Sequence, residues 1–227
     1  MEDPPLAGQE AKRIIRIMGK ASPVPFSDTK KILIRSANWV GDAVMSLPAI
    51  NSVRLSLPQA EIFILAKPWV AEIFQKNPVV DQVYFFQSPG IHQGLPGKWR
   101  LARQLKKEGF ELAILLQNAF EAALISFLAG IPRRAGYNTD GRGFMLTHPV
   151  GLRKEIKKQH QVDYYLEMVG SLGFQRANRI PSLPVSAERR EEAGRMLQSF
   201  GLQESQRLIG ISPGATYGSA KQWYPER

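Results

Sequence analysis

From Lys31 onward the apolar positions follow two alternating patterns, short unbroken runs and longer stretches with helical spacing. Ile32, Leu33 and Ile34 form the first run, after which Ala43, Leu47, Ile50, Val53 and Leu57 recur at helical intervals. Repeated along the chain, this predicts strands near 31–35, 61–66, 82–86 and 111–116, with helices near 42–57, 69–76, 98–108 and 119–129. Alternating strands and helices, the strands apolar throughout, give an α/β fold with a mostly parallel sheet covered on both faces. Residues 160–172 and 187–200 read as two further helices. Pro48 breaks a helix interior but suits the first turn of a helix that starts later, which leaves the start of the first helix open.

Turn chemistry divides the chain. Gly130-Ile-Pro-Arg-Arg and Asn138-Thr-Asp-Gly-Arg-Gly143 mark a long loop after the fourth strand–helix unit, and the two prolines of Asn178-Arg-Ile-Pro-Ser-Leu-Pro184 mark a linker. Arg207-Leu-Ile-Gly-Ile-Ser212 reads as a new strand with too little chain after it to close a second domain, which needs on the order of 100 residues or more. The expected organisation is a polar tail over 1–29, a Rossmann-like domain over 30–177, a linker and helix over 178–206, and the opening of an incomplete second domain over 207–227. Its first strand would lack partners from its own domain, so the chain reads as truncated. The tail holds one basic amphipathic piece, Ala11 to Met18, read as a frayed end or a weak membrane-surface helix.

Composition narrows the function classes. With 44% hydrophobic and 22% charged residues the chain is ordinary globular material. The absence of cysteine excludes a disulfide framework and thiolate metal sites, and the three scattered histidines, His92, His148 and His160, argue against a histidine metal site. No apolar run reaches the ~18 residues of a membrane span, and the amino terminus lacks a secretory pattern, so a cytoplasmic location is expected. A net charge of +10 implies an anionic partner such as phospholipid, phosphorylated glycolipid or nucleic acid. No helix-turn-helix, zinc-finger or aromatic RNA-binding motif supports nucleic acid. Without a Gly-Lys-Ser/Thr loop or a Gly-x-Gly-x-x-Gly set, an NTPase or dehydrogenase is disfavoured.

The candidate chemistry gathers at predicted strand ends, where a parallel sheet collects its ligands. Gly41 permits a turn after the first strand and Asp42 stands at the mouth of the following helix, either as its N-cap or as an acid acting on a ligand. Asn38, Trp39 and Asn118 lie beside strand ends where they could contact a ligand, with core packing the alternative for Trp39. Arg133, Arg134 and Arg142 flank glycines in the long loop, either as solvated surface groups or as a clamp for carboxylates and phosphates. Ser212, Gly214, Thr216, Ser219 and Lys221 combine backbone N–H groups, hydroxyls and an ammonium, a set that can hold a diphosphate or form an ordinary turn. Tyr164, Tyr165 and Met168, at helical spacing, read as core.

Three stretches together resemble glycosyltransferase family 9, the ADP-heptose:lipopolysaccharide heptosyltransferases. They are Lys31 to Pro48 with its Gly-Asp pair, Leu116 to Tyr137, and Ser212 to Trp223, in the family's order. Trp39-Val-Gly-Asp42 is similar to the branch that adds the second heptose. The resemblance implies a two-domain GT-B fold of which this chain holds mainly the acceptor half. It implies inverting, metal-independent transfer of heptose from ADP-L-glycero-D-manno-heptose to the inner core of lipopolysaccharide, Kdo-lipid A with heptose. It also implies Asp42 as the base, Lys221 as a contact to the donor diphosphate with Thr216 beside it, no cofactor, no nucleic-acid partner, and peripheral contact with the anionic inner face of the inner membrane. The alternatives are a non-catalytic acceptor-binding module or inactive product, and a basic nucleic-acid binder.

Overall fold

A computed structural model describes residues 26–202, 206–211, 213–214 and 223. The apolar runs form parallel strands: β1 (Lys31–Arg35), β2 (Glu61–Ala66), β3 (Gln82–Phe85) and β4 (Leu112–Leu115). They are joined by β5 (Arg133–Tyr137) and β6 (His148–Val150) in a six-stranded sheet of order β3-β2-β1-β4-β5-β6, with every pairing parallel. The strand order reverses at β1, which pairs with β2 on one side and β4 on the other, so a crevice opens beyond the carboxyl ends of β1 and β4.

Strand residues alternate between two cores. Ile32, Ile34, Ile62, Ile64, Leu112 and Ile114 face one side. There they pack under α2 (Leu47–Ser56), α3 (Pro68–Gln75) and α7 (Gln161–Ser171) through Leu47, Ile50, Val53, Val70, Phe74, Met168 and Val169. Leu33, Phe63, Leu65, Ala113 and Leu115 face the other, under α4 (Gly94–Lys107) and α5 (Phe120–Leu128) through Leu101, Leu105, Ala123 and Ile125. Burying each of the larger side chains stabilises the fold by roughly 1.5–3 kcal/mol.

Two differences from the sequence expectation have local causes. The helix expected over 42–57 is two helices, α1 (Val40–Met45) and α2, because Pro48 cannot continue the hydrogen-bond ladder and takes the first turn of α2. Ser46 at the junction donates its hydroxyl to the Ala43 carbonyl at 2.7 Å. The loop expected over 130–143 contains β5, whose leading residues, Arg133 and Arg134, hide it from a search for apolar runs. A short 3₁₀ turn (Gly143–Met145), the three-residue β6 and the four-residue α6 (Lys154–Lys157) complete this region.

The chain divides into two compact units after Pro184. In the second, α8 (Ala187–Ser199) is capped by Ser186, whose hydroxyl accepts the Arg189 N–H, and it buries no residue. Residues 207–211 of the strand expected over 207–212 have no strand conformation, Ser212 lies outside the described residues, and Ile209 and Ile211 are exposed.

Candidate active site

The end of β1 builds the centre of the site. Arg35, Ser36 and Ala37 are buried, and the Ser36 N–H bonds the Leu65 carbonyl at 3.1 Å, carrying the β1–β2 ladder one step past the strand. The chain then turns through Asn38 and Trp39 into α1. Trp39 is the N-cap, in extended conformation and without a side-chain cap bond, so Asp42 lies inside the first turn of α1 and is not the N-cap. Asp42 is half-buried. Burial pushes the Tyr165 phenol pKa above its usual range, and the charge of Asp42 adds to the shift. Gly41 has no left-handed φ, and a Cβ added to it would meet nothing within 4 Å. The turn therefore does not require glycine, and a side chain at this position would extend into open space.

Asn38 is held from two sides. Its side-chain oxygen accepts from Arg35 at 2.7 Å and its carbonyl accepts the Trp69 indole N–H at 2.8 Å. Trp39 is 59% exposed, which excludes core packing for it. Arg35 also donates to the Ser36 and Leu65 carbonyls and stacks on Phe86 at 4.9 Å, while its Nε has no partner. Burial lowers its pKa to about 10, so it stays charged at neutral pH. Lys67, one residue past β2, shares the Phe86 ring at 4.2 Å and donates to the Ser88 carbonyl. Its pKa is lowered first by burial and then by Arg35. Lys98 and Glu121 form an ion pair at 2.9 Å, and Glu121 also offsets some of the charge on both Arg35 and Lys67. Sequence reading missed Arg35, Lys67 and Lys98. The available signal was a cation at the end of each of two buried apolar runs; the parallel register pairing Arg35 with Leu65 brings Lys67 close.

Beyond β4, Asn118 is anchored between two groups. Its amide N–H donates to the Tyr164 hydroxyl, and its oxygen accepts from Arg142 at 3.1 Å. Arg142 is fully buried and also donates to the carbonyls of Tyr137, Gln117 and Ala119. Burial lowers its pKa to about 10. The Tyr137 hydroxyl donates to the Tyr164 carbonyl at 2.8 Å, and the Tyr164 and Tyr165 rings meet edge to face at 5.5 Å. The tyrosines are core, as the spacing indicates, and they also link Asn118 and Arg142 to the surroundings of Asp42.

The three arginines do not form one clamp. Arg142 works from inside, orienting Asn118 and the loop carbonyls, with no surface of its own to offer a ligand. Arg133 and Arg134 sit at the amino end of β5, level with the first residues of β4, the end of the sheet away from Asp42. There Arg133 pairs with Asp28 at 2.7 Å and Glu111 at 3.6 Å, while Arg134 donates to the carbonyls of Ile131 and Met145 and lies over Phe127. Their donors are engaged in fastening strand to loop, so the acceptor role expected of them has no geometric support. A cavity of about 620 Å³ lined by Phe26, Arg133, His148, Val150 and Leu172 opens at that same amino end. Of the proposed diphosphate set, Ser212, Thr216, Ser219 and Lys221 lie outside the described residues; Gly214 is described, with open space where a Cβ would be. Among the described residues no three His, Cys, Asp or Glu side chains gather as metal ligands.

Comparison with known proteins supplies context for this geometry. The model of glycosyltransferase family 9 (heptosyltransferase) matches residues 98–227. Lipopolysaccharide heptosyltransferase 2 of Salmonella typhimurium is 31% identical over 202 residues, 85% of this chain and 56% of that protein. The Escherichia coli K12 protein of the same name is 30% identical over the same shares. The chain thus spans a little over half the length of the curated relatives it matches. The crystal structure of a family 9 glycosyltransferase from Veillonella parvula superposes with a TM-score of 0.77 at 21% identity, covering 87% of this chain and 57% of that one. E. coli ADP-heptose lps heptosyltransferase II superposes with a TM-score of 0.68 at 28% identity, covering 86% and 57%.

Proposed function

The chain belongs to glycosyltransferase family 9, and from that premise we propose that it forms the acceptor side of a heptosyltransferase that moves heptose from ADP-heptose onto the inner core of lipopolysaccharide. The observation that carries the reading is the position of Asp42, half-buried in the first turn of α1 at the switch point of a parallel sheet, with Asn38, Trp39 and Asn118 on the loops at the same strand ends. The names of the relatives favour addition of the second heptose.

In the proposed reaction an acceptor hydroxyl lies against the Asp42 carboxylate, which takes its proton as the oxygen attacks the anomeric carbon. Attack comes from the face opposite ADP, so the bond to the diphosphate oxygen breaks with inversion and the electron pair leaves on ADP. The departing charge needs fixed positive groups, the role we assign to Lys221 with Ser212, Gly214, Thr216 and Ser219, in a transfer that uses no metal. On the acceptor side, Asn38 and Asn118 are held by Arg35, Arg142 and Tyr164, so they can meet sugar hydroxyls with little ordering cost. Trp39 offers an exposed ring to a sugar face. The acceptor, being lipid-borne, places the protein at the inner face of the inner membrane. None of the described helices is long and apolar enough to cross it.

Two measurements test this. The chain should bind delipidated inner-core oligosaccharide in a calorimetric titration, and absence of binding would remove the acceptor assignment. In a chimera joining residues 31–211 to the remainder of the Salmonella relative, Asp42→Ala should cut transfer at least 10²-fold with unchanged thermal unfolding. Undiminished transfer in that variant would refute the base.

A further inference from the structure

The two faces of α4 differ sharply in character. Its inner face, Gly97, Leu101, Ala102 and Leu105, is buried in the core. Its outer face presents Leu95, 72% exposed, and Trp99, 52% exposed, with Ile91 exposed just before the helix. The following turns carry Arg100, Arg103, Lys106 and Lys107, all exposed and, among the described residues, none paired with a carboxylate. The helix contains no acidic residue at all. Pro96, Trp99, Arg100, Arg103, Gln104 and Lys107 line a shallow groove of about 440 Å³ along it.

We propose that this face of α4 is a docking surface for an anionic phospholipid bilayer, with Trp99, Leu95 and Ile91 entering the interfacial layer and the cations of the later turns meeting lipid phosphates. The order of groups supports this occupant. Tryptophan and leucine gain from the boundary between headgroups and acyl chains, while the stems of arginine and lysine lie along it with their charges at the phosphates. A nucleic acid would use the cations but gives Leu95 and Ile91 nothing apolar to meet. A second copy of the same face is disfavoured because like charges would oppose each other. The helix follows β3 and therefore starts at the carboxyl end of the sheet, the end that holds Asp42. Docking here would keep a lipid-borne acceptor on the side of the sheet where the transfer reading needs it. The proposal rests on that reading only for why a membrane is useful; binding is measured without any sugar.

The test is co-sedimentation of the full chain with vesicles of phosphatidylcholine alone or mixed with phosphatidylglycerol, at fixed moderate salt. Binding is expected to the mixed vesicles and not to the neutral ones. The triple variant Arg100→Glu/Arg103→Glu/Lys107→Glu should bind at least tenfold more weakly, since each basic group near an anionic surface contributes about fivefold. Lys154→Glu/Lys157→Glu/Lys158→Glu, which changes the net charge equally at the exposed α6, should keep most of the binding. Circular dichroism checks that both variants fold. The proposal is overturned if the chain ignores anionic vesicles, if the two triple variants lose binding equally, or if duplex DNA at the same salt displaces the vesicles. Because the vesicles carry no acceptor, failure here leaves oligosaccharide binding and transfer to be judged separately.

Discussion

Asp42 and Gly41 show how far single residues could be read. The apolar run ending at Arg35 and the helical spacing from Ala43 put an acid at a strand end from sequence alone, and the structure adds that Trp39 is the N-cap. The same step displaces Gly41 from its expected role: it sits within α1, where glycine costs up to about 1 kcal/mol relative to alanine. Gly41→Ala should therefore leave stability in urea unchanged or raise it by several tenths of a kcal/mol, because the added methyl group meets nothing within 4 Å. A lowered urea midpoint in this variant would show that the turn needs glycine after all. The arginines went the other way. A guanidinium near a glycine looks the same in sequence whether it reaches solvent, as a ligand clamp must, or serves buried carbonyls, as Arg142 does.

At the scale of elements, helix and strand positions follow from periodicity wherever apolar residues lead, and fail where they do not. The strands β1, β2, β3 and β4 and the helix α4 were all visible within a few residues of their ends. β5 was not, because its buried residues, Ala135, Gly136 and Tyr137, follow two cations whose role is to tie the strand to Asp28, Glu111 and neighbouring carbonyls. One tertiary demand on α4 left no signal in the spacing. The first turns of the helix press so closely on the preceding loop that a Cβ on Gly97 would lie 2.4 Å from the carbonyl carbon of His92 and 2.7 Å from its Cα. Backbone cannot yield as a side-chain tip can, so Gly97→Ala should destabilise the fold by about 1–3 kcal/mol, read as a lower urea midpoint. An unchanged midpoint would mean that α4 can shift on its loop without penalty. Farther along, Ser52 and Ser56, one turn apart on α2, accept the backbone N–H groups of Ala177 and Gln175 at 2.9 and 2.8 Å, fastening the chain that leaves α7.

At the scale of the molecule, the sheet and its two flanking cores lie entirely before Pro184. A protein ending at Pro184 should accordingly unfold in one cooperative transition followed by far-ultraviolet circular dichroism. A broad, non-cooperative loss of signal would mean that the sheet depends on residues beyond that point. The amino-acid sequence by itself determined the α/β class, the parallel sheet and the acid after the first strand, because these rest on local periodicity and on the turn that follows an apolar run. Tertiary structure alone decided that Arg35 and Lys67 share the Phe86 ring, that Asn118 is aimed by Arg142 and Tyr164, and that Arg133 and Arg134 belong to the far end of the sheet. Those relations depend on which strands become neighbours and in what register. That choice is made by burying two faces of one sheet at once, and it leaves no mark in the spacing of any single segment.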